Sequence, residues 1–379
     1  MASGSWIAQV AAMTQTAISR RTFIQSCAAA ALATTSLAQR VQKQSSRSLH
    51  LVKQFKGGAF LGGVSTSGKR LCILFVPGGP RIRVEVVEMG TWRVIYSGTF
   101  TSNFHVDADF FTSGEALYVN ALGPTRGFVV DLHNGRQQER LLDESEPVGY
   151  TPLEDGVLLG SARDGSIVRV KLPGYEEMLR LPEPEKSGFP VSQDRQRMLR
   201  ILGKEERTLE CYRTADLHLL WTRKIEVPGA RWDVLHNYKG FVEPAISYDG
   251  RLIAVSSVDT DQWEQQRQFF VAILDGETGE EMNRLPINAR ASLAVSPDGN
   301  YIAVGKRVPI REGDIDLLVE LRDLKTGVVT TVTHERVPPG GHQAGTALFD
   351  SEGRGLTFTS DGEYLISSGA NTVKVWRFL

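Results

Sequence analysis

The chain has 379 residues, 41% hydrophobic and 23% charged, a balance that excludes a wholly disordered protein and allows a sizeable core. Its 43 Lys and Arg against 44 Asp and Glu leave a formal net charge of −1, so no nucleic-acid partner is expected from composition. Thirty-seven Gly and 16 Pro, spread along the chain, suit many short strands joined by turns.

No acidic residue precedes Glu85, and the first forty residues have a character of their own. Ser19-Arg20-Arg21-Thr22-Phe23-Ile24-Gln25 leads into a weakly hydrophobic run, Cys27 to Ala38, rich in Ala and Thr. This resembles the twin-arginine export signal of bacteria, with Arg20, Arg21 and Phe23 as its recognition residues and Ser36 and Ala38 as the small positions before cleavage. The resemblance implies a signal over 1–38, a linker over 39–46 and a mature chain that is periplasmic or extracellular. The apolar run is about a dozen residues where a span needs roughly 20, so no membrane span is expected after cleavage. Cys72 and Cys211, in strand-like runs far apart, read as small buried hydrophobes.

Residues 47–55 read as a strand, with Leu49 and Leu51 opposing His50 and Lys53. The glycine-rich stretch Gly57 to Gly63 is followed by no helix that could offer a phosphate its N-terminus, and it predicts close strand packing near an axis. A repeating unit then runs to the C-terminus, clearest at Ser247-Tyr248-Asp249-Gly250, Ser296-Pro297-Asp298-Gly299 and Thr359-Ser360-Asp361-Gly362, each between two apolar β-prone runs. Weaker copies centre on Gly68, Gly114, Gly156 and Arg195. Seven turns, 39 to 63 residues apart, predict seven four-stranded blades. A second turn, at Asp131 to Gly135, Asp275 to Gly279 and Asp323 to Gly327, falls between the third and fourth strands of its blade.

These residues resemble the WD-repeat and related bacterial propeller families over about residues 47–379, in degenerate form. Only Trp376 keeps the tryptophan of the WD-repeat third strand, and the His, Asp, Ser/Thr and Trp network of such a blade is matched in part by His342, Ser367 and Trp376, with Asn371 near the Asp position. The resemblance implies an all-β, seven-bladed β-propeller of four-stranded antiparallel blades. Because the last blade ends at Leu379 with three strands of its own, residues 47–55 are expected to close the ring as its fourth.

No Gly-x-Ser-x-Gly, His-Glu-x-x-His, Cys-x-x-Cys-His or Gly-x-x-x-x-Gly-Lys motif is present, so no catalytic residue is assigned. Zinc held by His236, His334 and His342 requires loops of different blades to converge, and the metal assignment stays open. No cofactor is expected. A quinoprotein repeat usually carries a Trp shortly after the Thr-Gly turn, where this chain has Met282 and Val329.

Four long connections stand out: 229–241, 257–267, 306–314 and 334–345. In a four-stranded meander the second-to-third loop and the connection to the next blade leave from one rim, so all four gather over blades five to seven. That rim carries Trp232, His236, Tyr238, Asp259, Asp261, Trp263, Arg307 and Arg311, an aromatic, arginine and acidic mixture of the type found at protein interfaces. The expectation is a non-catalytic binding scaffold with a protein partner; the alternative is a periplasmic propeller enzyme or redox-enzyme subunit, amine-dehydrogenase-like or lactonase-like.

Overall fold

A computed structural model of the chain describes residues 48–76, 79–102, 106–121, 126–141, 149–162, 164–182, 189–202, 208–224, 244–258, 269–287, 291–310, 314–337 and 355–378. All of them fall in one compact unit, Arg47–Leu379, and among them there are strands and turns but no helices.

The strands form seven separate antiparallel sheets. A first strand, β1 (Leu49–Phe55), is set apart from its chain neighbours. Blade one is β2 (Ala59–Val64), β3 (Arg70–Phe75), β4 (Arg81–Glu88) and β5 (Val94–Thr101). Blade two is β6 (Val106–Phe110), β7 (Ala116–Ala121), β8 (Arg126–Asp131) and β9 (Gln137–Leu141). Blade three is β10 (Gly149–Pro152), β11 (Val157–Ser161), β12 (Ile167–Lys171) and β13 (Glu176–Leu181). Blade four has β14 (Arg197–Leu202), β15 (Thr208–Arg213) and β16 (Leu219–Lys224). Blade five is β17 (Pro244–Ile246), β18 (Leu252–Val258), β19 (Phe269–Asp275) and β20 (Glu281–Ile287). Blade six is β21 (Ala291–Val295), β22 (Tyr301–Pro309), β23 (Ile315–Asp323) and β24 (Val329–Val337). Blade seven is β25 (Leu356–Phe358), β26 (Tyr364–Gly369) and β27 (Thr372–Phe378), completed by β1.

Closure takes the expected form. β1 pairs antiparallel with β27, from Leu49 opposite Phe378 to Phe55 opposite Val373, so the chain's first and last strands share one sheet. The alternation expected in β1 does not hold throughout: Leu49 is buried while Leu51 is exposed, and a bulge between Leu51 and Lys53 then shifts the register. Blade four departs from four full strands. Its innermost segment is reduced to one bridge, Val191 to Met198, because Pro190 has no N–H to donate and contributes only its carbonyl, to Leu199 N.

Seven apolar clusters hold the sheets together, each drawn from two neighbouring blades, and one of them joins blade seven to blade one. Both faces of a blade are therefore covered, which is why inner strands read as near-continuous apolar runs such as Leu71 to Phe75, all buried. Cys72 lies in the cluster between blades one and two and Cys211 in that between four and five, both fully buried and free. Burial pushes the Cys211 thiol up to about 11, so it behaves as a small apolar side chain.

The first-to-second-strand turns share one geometry. At the fourth turn position Gly68, Gly114, Gly156, Arg195, Gly250, Gly299 and Gly362 all have positive φ, between 64° and 79°. Ser296 shows how the turn is locked. Its hydroxyl donates to Asp298 Oδ1 at 2.6 Å and accepts from Tyr301 N at 2.9 Å, and Asp298 Oδ1 also accepts from Asn300 N. Ser192, Ser247 and Thr359 repeat this lock with Asp194, Asp249 and Asp361. Blades two and three carry Phe111 and Leu153 in the hydroxyl position; there Ser113 donates to Asp155 instead, tying the two turns to each other.

Gly62 and Gly63 confirm the close approach read from the sequence. A Cβ on Gly62 would stand 3.1 Å from Ala108 O, and one on Gly63 would overlap the Asp109 carboxylate.

Candidate functional site

Two ends of the ring differ in construction. On the rim formed by second-to-third-strand loops and interblade connections, blade six rises furthest among the described residues, with β22, β23 and β24 each nine residues long. Arg307 is thus a strand residue, opposite Leu317 in β22–β23 pairing, and not part of a loop; just beyond the paired strands Ile310 N donates to Asp314 O. The extra chain between second and third strands was spent on lengthening the hairpin. Arg311 lies outside the described residues, as do Trp232, His236, Tyr238, Asp259, Asp261 and Trp263, and in the N-terminal segment Arg20, Arg21 and Phe23.

The base of this projecting hairpin is an ion cluster. Glu320 in β23 accepts from Lys306 Nζ at 2.6 Å and from Arg322 at 2.9 Å, while Arg322 donates onward to Pro286 O, at the end of blade five's outer strand. Burial alone would raise the Glu320 carboxyl, but the hydrogen bonds and charges of Lys306 and Arg322 outweigh it and hold it below the usual Glu value. Blade four repeats the device: Arg200 pairs with Glu210 and donates to Pro182 O of blade three.

A second set of buried polar groups joins blades six and seven. His334 in β24, fully buried, bonds Ser367 Oγ through Nδ1 at 2.8 Å and Gly369 O through Nε2 at 3.0 Å; Trp376 Nε1 donates to the same Ser367 Oγ at 2.7 Å. A carbonyl only accepts, so Nε2 carries a proton. Burial, with Lys374 nearby, drives the ring's pKa down to about 4, which keeps it neutral, and in that form Ser367 accepts from the Trp376 indole and donates to Nδ1. His334, and not His342, joins Ser367 and Trp376 in this network; His342 lies outside the described residues. With both nitrogens committed, His334 is no zinc ligand. Among the described residues no group of three His, Cys, Asp or Glu side chains is placed to hold a metal ion, and no helix is long and apolar enough to cross a membrane.

The opposite end of the ring, where the first-to-second-strand turns converge, holds a polar cavity of about 490 Å3. Thr66, Thr112, Glu154, Asp194, Arg195 and Tyr248 bring it side chains from the turns of blades one to five. Arg169 of β12 enters between blades three and four, paired with Glu154 and with Ala215 O. Arg195 reaches Asp109 on the inner strand of blade two, Nη2 to Oδ2 at 2.7 Å. A second cavity of about 490 Å3 lies between blades two and three, where Arg140 stacks over Tyr175. Sequence reading passed over the first of these mouths because the turns there are short. The signal was Arg195 at a position where the other six turns carry Gly.

No family model matches the sequence, and no curated protein does. Solved structures do. A chain of hydrazine synthase from Kuenenia stuttgartiensis aligns with 19% identity over 86% of this chain and 97% of its own, at a TM-score of 0.55. The Cps50 (Swd1) β-propeller domain of Myceliophteria thermophila aligns with 13% identity over 87% and 99%, at a TM-score of 0.58. At these identities the likeness is one of fold, and with the seven sheets it makes the chain a seven-bladed β-propeller.

Proposed function

We propose that the chain is an exported binding scaffold of the bacterial envelope, which captures a protein partner on the rim over blades five to seven. The observation that carries this reading is the blade-six hairpin of two nine-residue strands, which projects on the rim where the sequence places Trp232, His236, Tyr238, Asp259, Asp261, Trp263, Arg307 and Arg311. A hairpin anchored on the Lys306, Glu320 and Arg322 cluster is a rigid mount, and rigidity lowers the entropy lost when a partner docks. Export by the twin-arginine route, carried by Arg20, Arg21 and Phe23, delivers the ring already folded.

The test is recovery of partners from the periplasm by wild type and by Trp232→Ala, Trp263→Ala and Arg311→Ala, beside the thermal unfolding of each. Loss of capture at an unchanged melting temperature supports the rim. Capture lost only in proportion to melting, or unchanged by all three variants, rejects it, and a redox or hydrolytic enzyme recovered as the sole partner favours the enzyme-subunit alternative.

A further inference from the structure

From the polar mouth at the end of the ring opposite that rim, we infer a binding site for a neutral polyhydroxyl ligand of saccharide size. Its volume, about 490 Å3, falls within the range of roughly 300–1,000 Å3 typical of small-molecule sites. Of its lining residues only Ala215 lacks a polar side chain, and the stems and rings of the others add apolar surface beside the polar atoms. That mixture suits a ligand with both hydroxyls and C–H faces better than a wholly apolar one, which would strip water from the polar groups and return no hydrogen bonds.

Charge narrows the choice further. The wall holds two guanidiniums, Arg169 and Arg195, and two carboxylates, Glu154 and Asp194. Each guanidinium already has a carboxylate partner, Glu154 for Arg169 and Asp109 for Arg195. An anionic ligand would have to displace one of these partners, and a cation would meet the two guanidiniums. A hydroxyl group suits both, since it accepts from a guanidinium N–H and donates to a carboxylate lone pair at once. The Thr66 and Thr214 hydroxyls, whose protons go to Thr112 O and Arg195 O, can still accept, Thr112 and Tyr248 add hydroxyls around the same space, and the Tyr248 ring is a flat surface for a sugar ring.

Two observations set this mouth apart from ordinary turn packing. Arg195 occupies a left-handed position, φ 64°, which the other six turns give to Gly, so its side chain is held there against the backbone's preference. Both arginines are largely buried, and each is pinned through its terminal nitrogens, Arg169 to Glu154 and Ala215 O and Arg195 to Asp109. Guanidiniums held in place in this way are preorganised, so an oxygen ligand that meets them pays little for ordering the side chains.

Calorimetric titration of the full chain with glucose, galactose, N-acetylglucosamine and maltose, with inorganic phosphate and alanine as charged controls, decides the matter. Saturable binding of at least one saccharide is expected, weakened at least tenfold in both Arg195→Gly and Tyr248→Ala. Gly restores the turn's ordinary residue; should Arg195→Gly nonetheless fail to fold, Tyr248→Ala carries the test, because the turn contact at Tyr248 is made by its backbone oxygen with Asp194 N. Absence of binding by all four sugars, binding of phosphate or alanine in their place, or wild-type affinity in the folded variants overturns the inference. The rim proposal stands or falls separately, since its variants lie at the other end of the ring.

Discussion

Arg195 in blade four donates from Nη2 to Oδ2 of Asp109 in blade two at 2.7 Å, so that one ion pair links two blades that are not neighbours in the ring. Asp109 is held from the other side by Phe110 N on its Oδ1, and Gly63 leaves it room. Sequence neighbours do not meet here. The contact links residues 86 apart, and only the closed ring brings them together.

Arg195→Ala is expected to destabilise the ring more than Arg195→Gly, by about 1 kcal/mol, because both lose the pair but only Ala keeps a Cβ in the left-handed region. Urea denaturation of the two variants measures the difference. Equal midpoints would show that the turn tolerates a side chain without strain.

Acid should weaken the joint between blades six and seven through His334. Its folded pKa of about 4 lies below the ordinary histidine value of 6.5, so the unfolded chain binds the extra proton first, and stability falls as pH drops from about 6.5 towards 4. The full loss is on the order of 3 kcal/mol. Stability curves of wild type and His334→Gln at several pH values should converge over this window, and parallel curves would refute the assignment.

Glu320→Ala leaves Lys306, 2% exposed, and Arg322 facing each other without their shared carboxylate. Removing one partner of a buried pair costs about 3–5 kcal/mol, and chemical denaturation should show a loss of that size. Arg336→Ala, whose exposed guanidinium pairs with Asp316 at the same hairpin, should cost no more than about 1 kcal/mol.

Deleting residues 47–55 should destabilise the ring far beyond an ordinary terminal trim, by about 3 kcal/mol or more, because β27 loses its partner and the cluster around Tyr301 and Phe378 loses the buried Leu49. Thermal unfolding tests this. An unchanged midpoint would mean that β1 is dispensable to closure.

Changing Arg20 and Arg21 together to Lys should abolish appearance of the mature chain in the periplasm, since a site shaped for paired guanidinium forks is not filled by point-charge ammoniums. Fractionation followed by immunoblotting reads the outcome, and normal export would remove the signal assignment.

The sequence by itself determined the blade count, the position of both turn types and the need for residues 47–55 at closure, because each follows from local chemistry. A left-handed turn residue, in five of the blades a Ser or Thr three positions before it, and apolar strands on either side are all visible within a dozen residues. Which rim residues project was only half legible: an excess of residues between second and third strands of blade six was plain, but whether it formed loop or longer strand depended on pairing across the hairpin, and Arg307 joined the ladder. His334 and the axial mouth were decided by tertiary structure alone. His334 reads as an isolated histidine until blade seven brings Ser367 and Gly369 against it, and the mouth exists only where the turns of five blades meet around one axis. Hydrogen bonds between residues 33 to 86 apart leave no periodic trace in the chain, because they depend on how sheets are placed and not on how any one sheet folds.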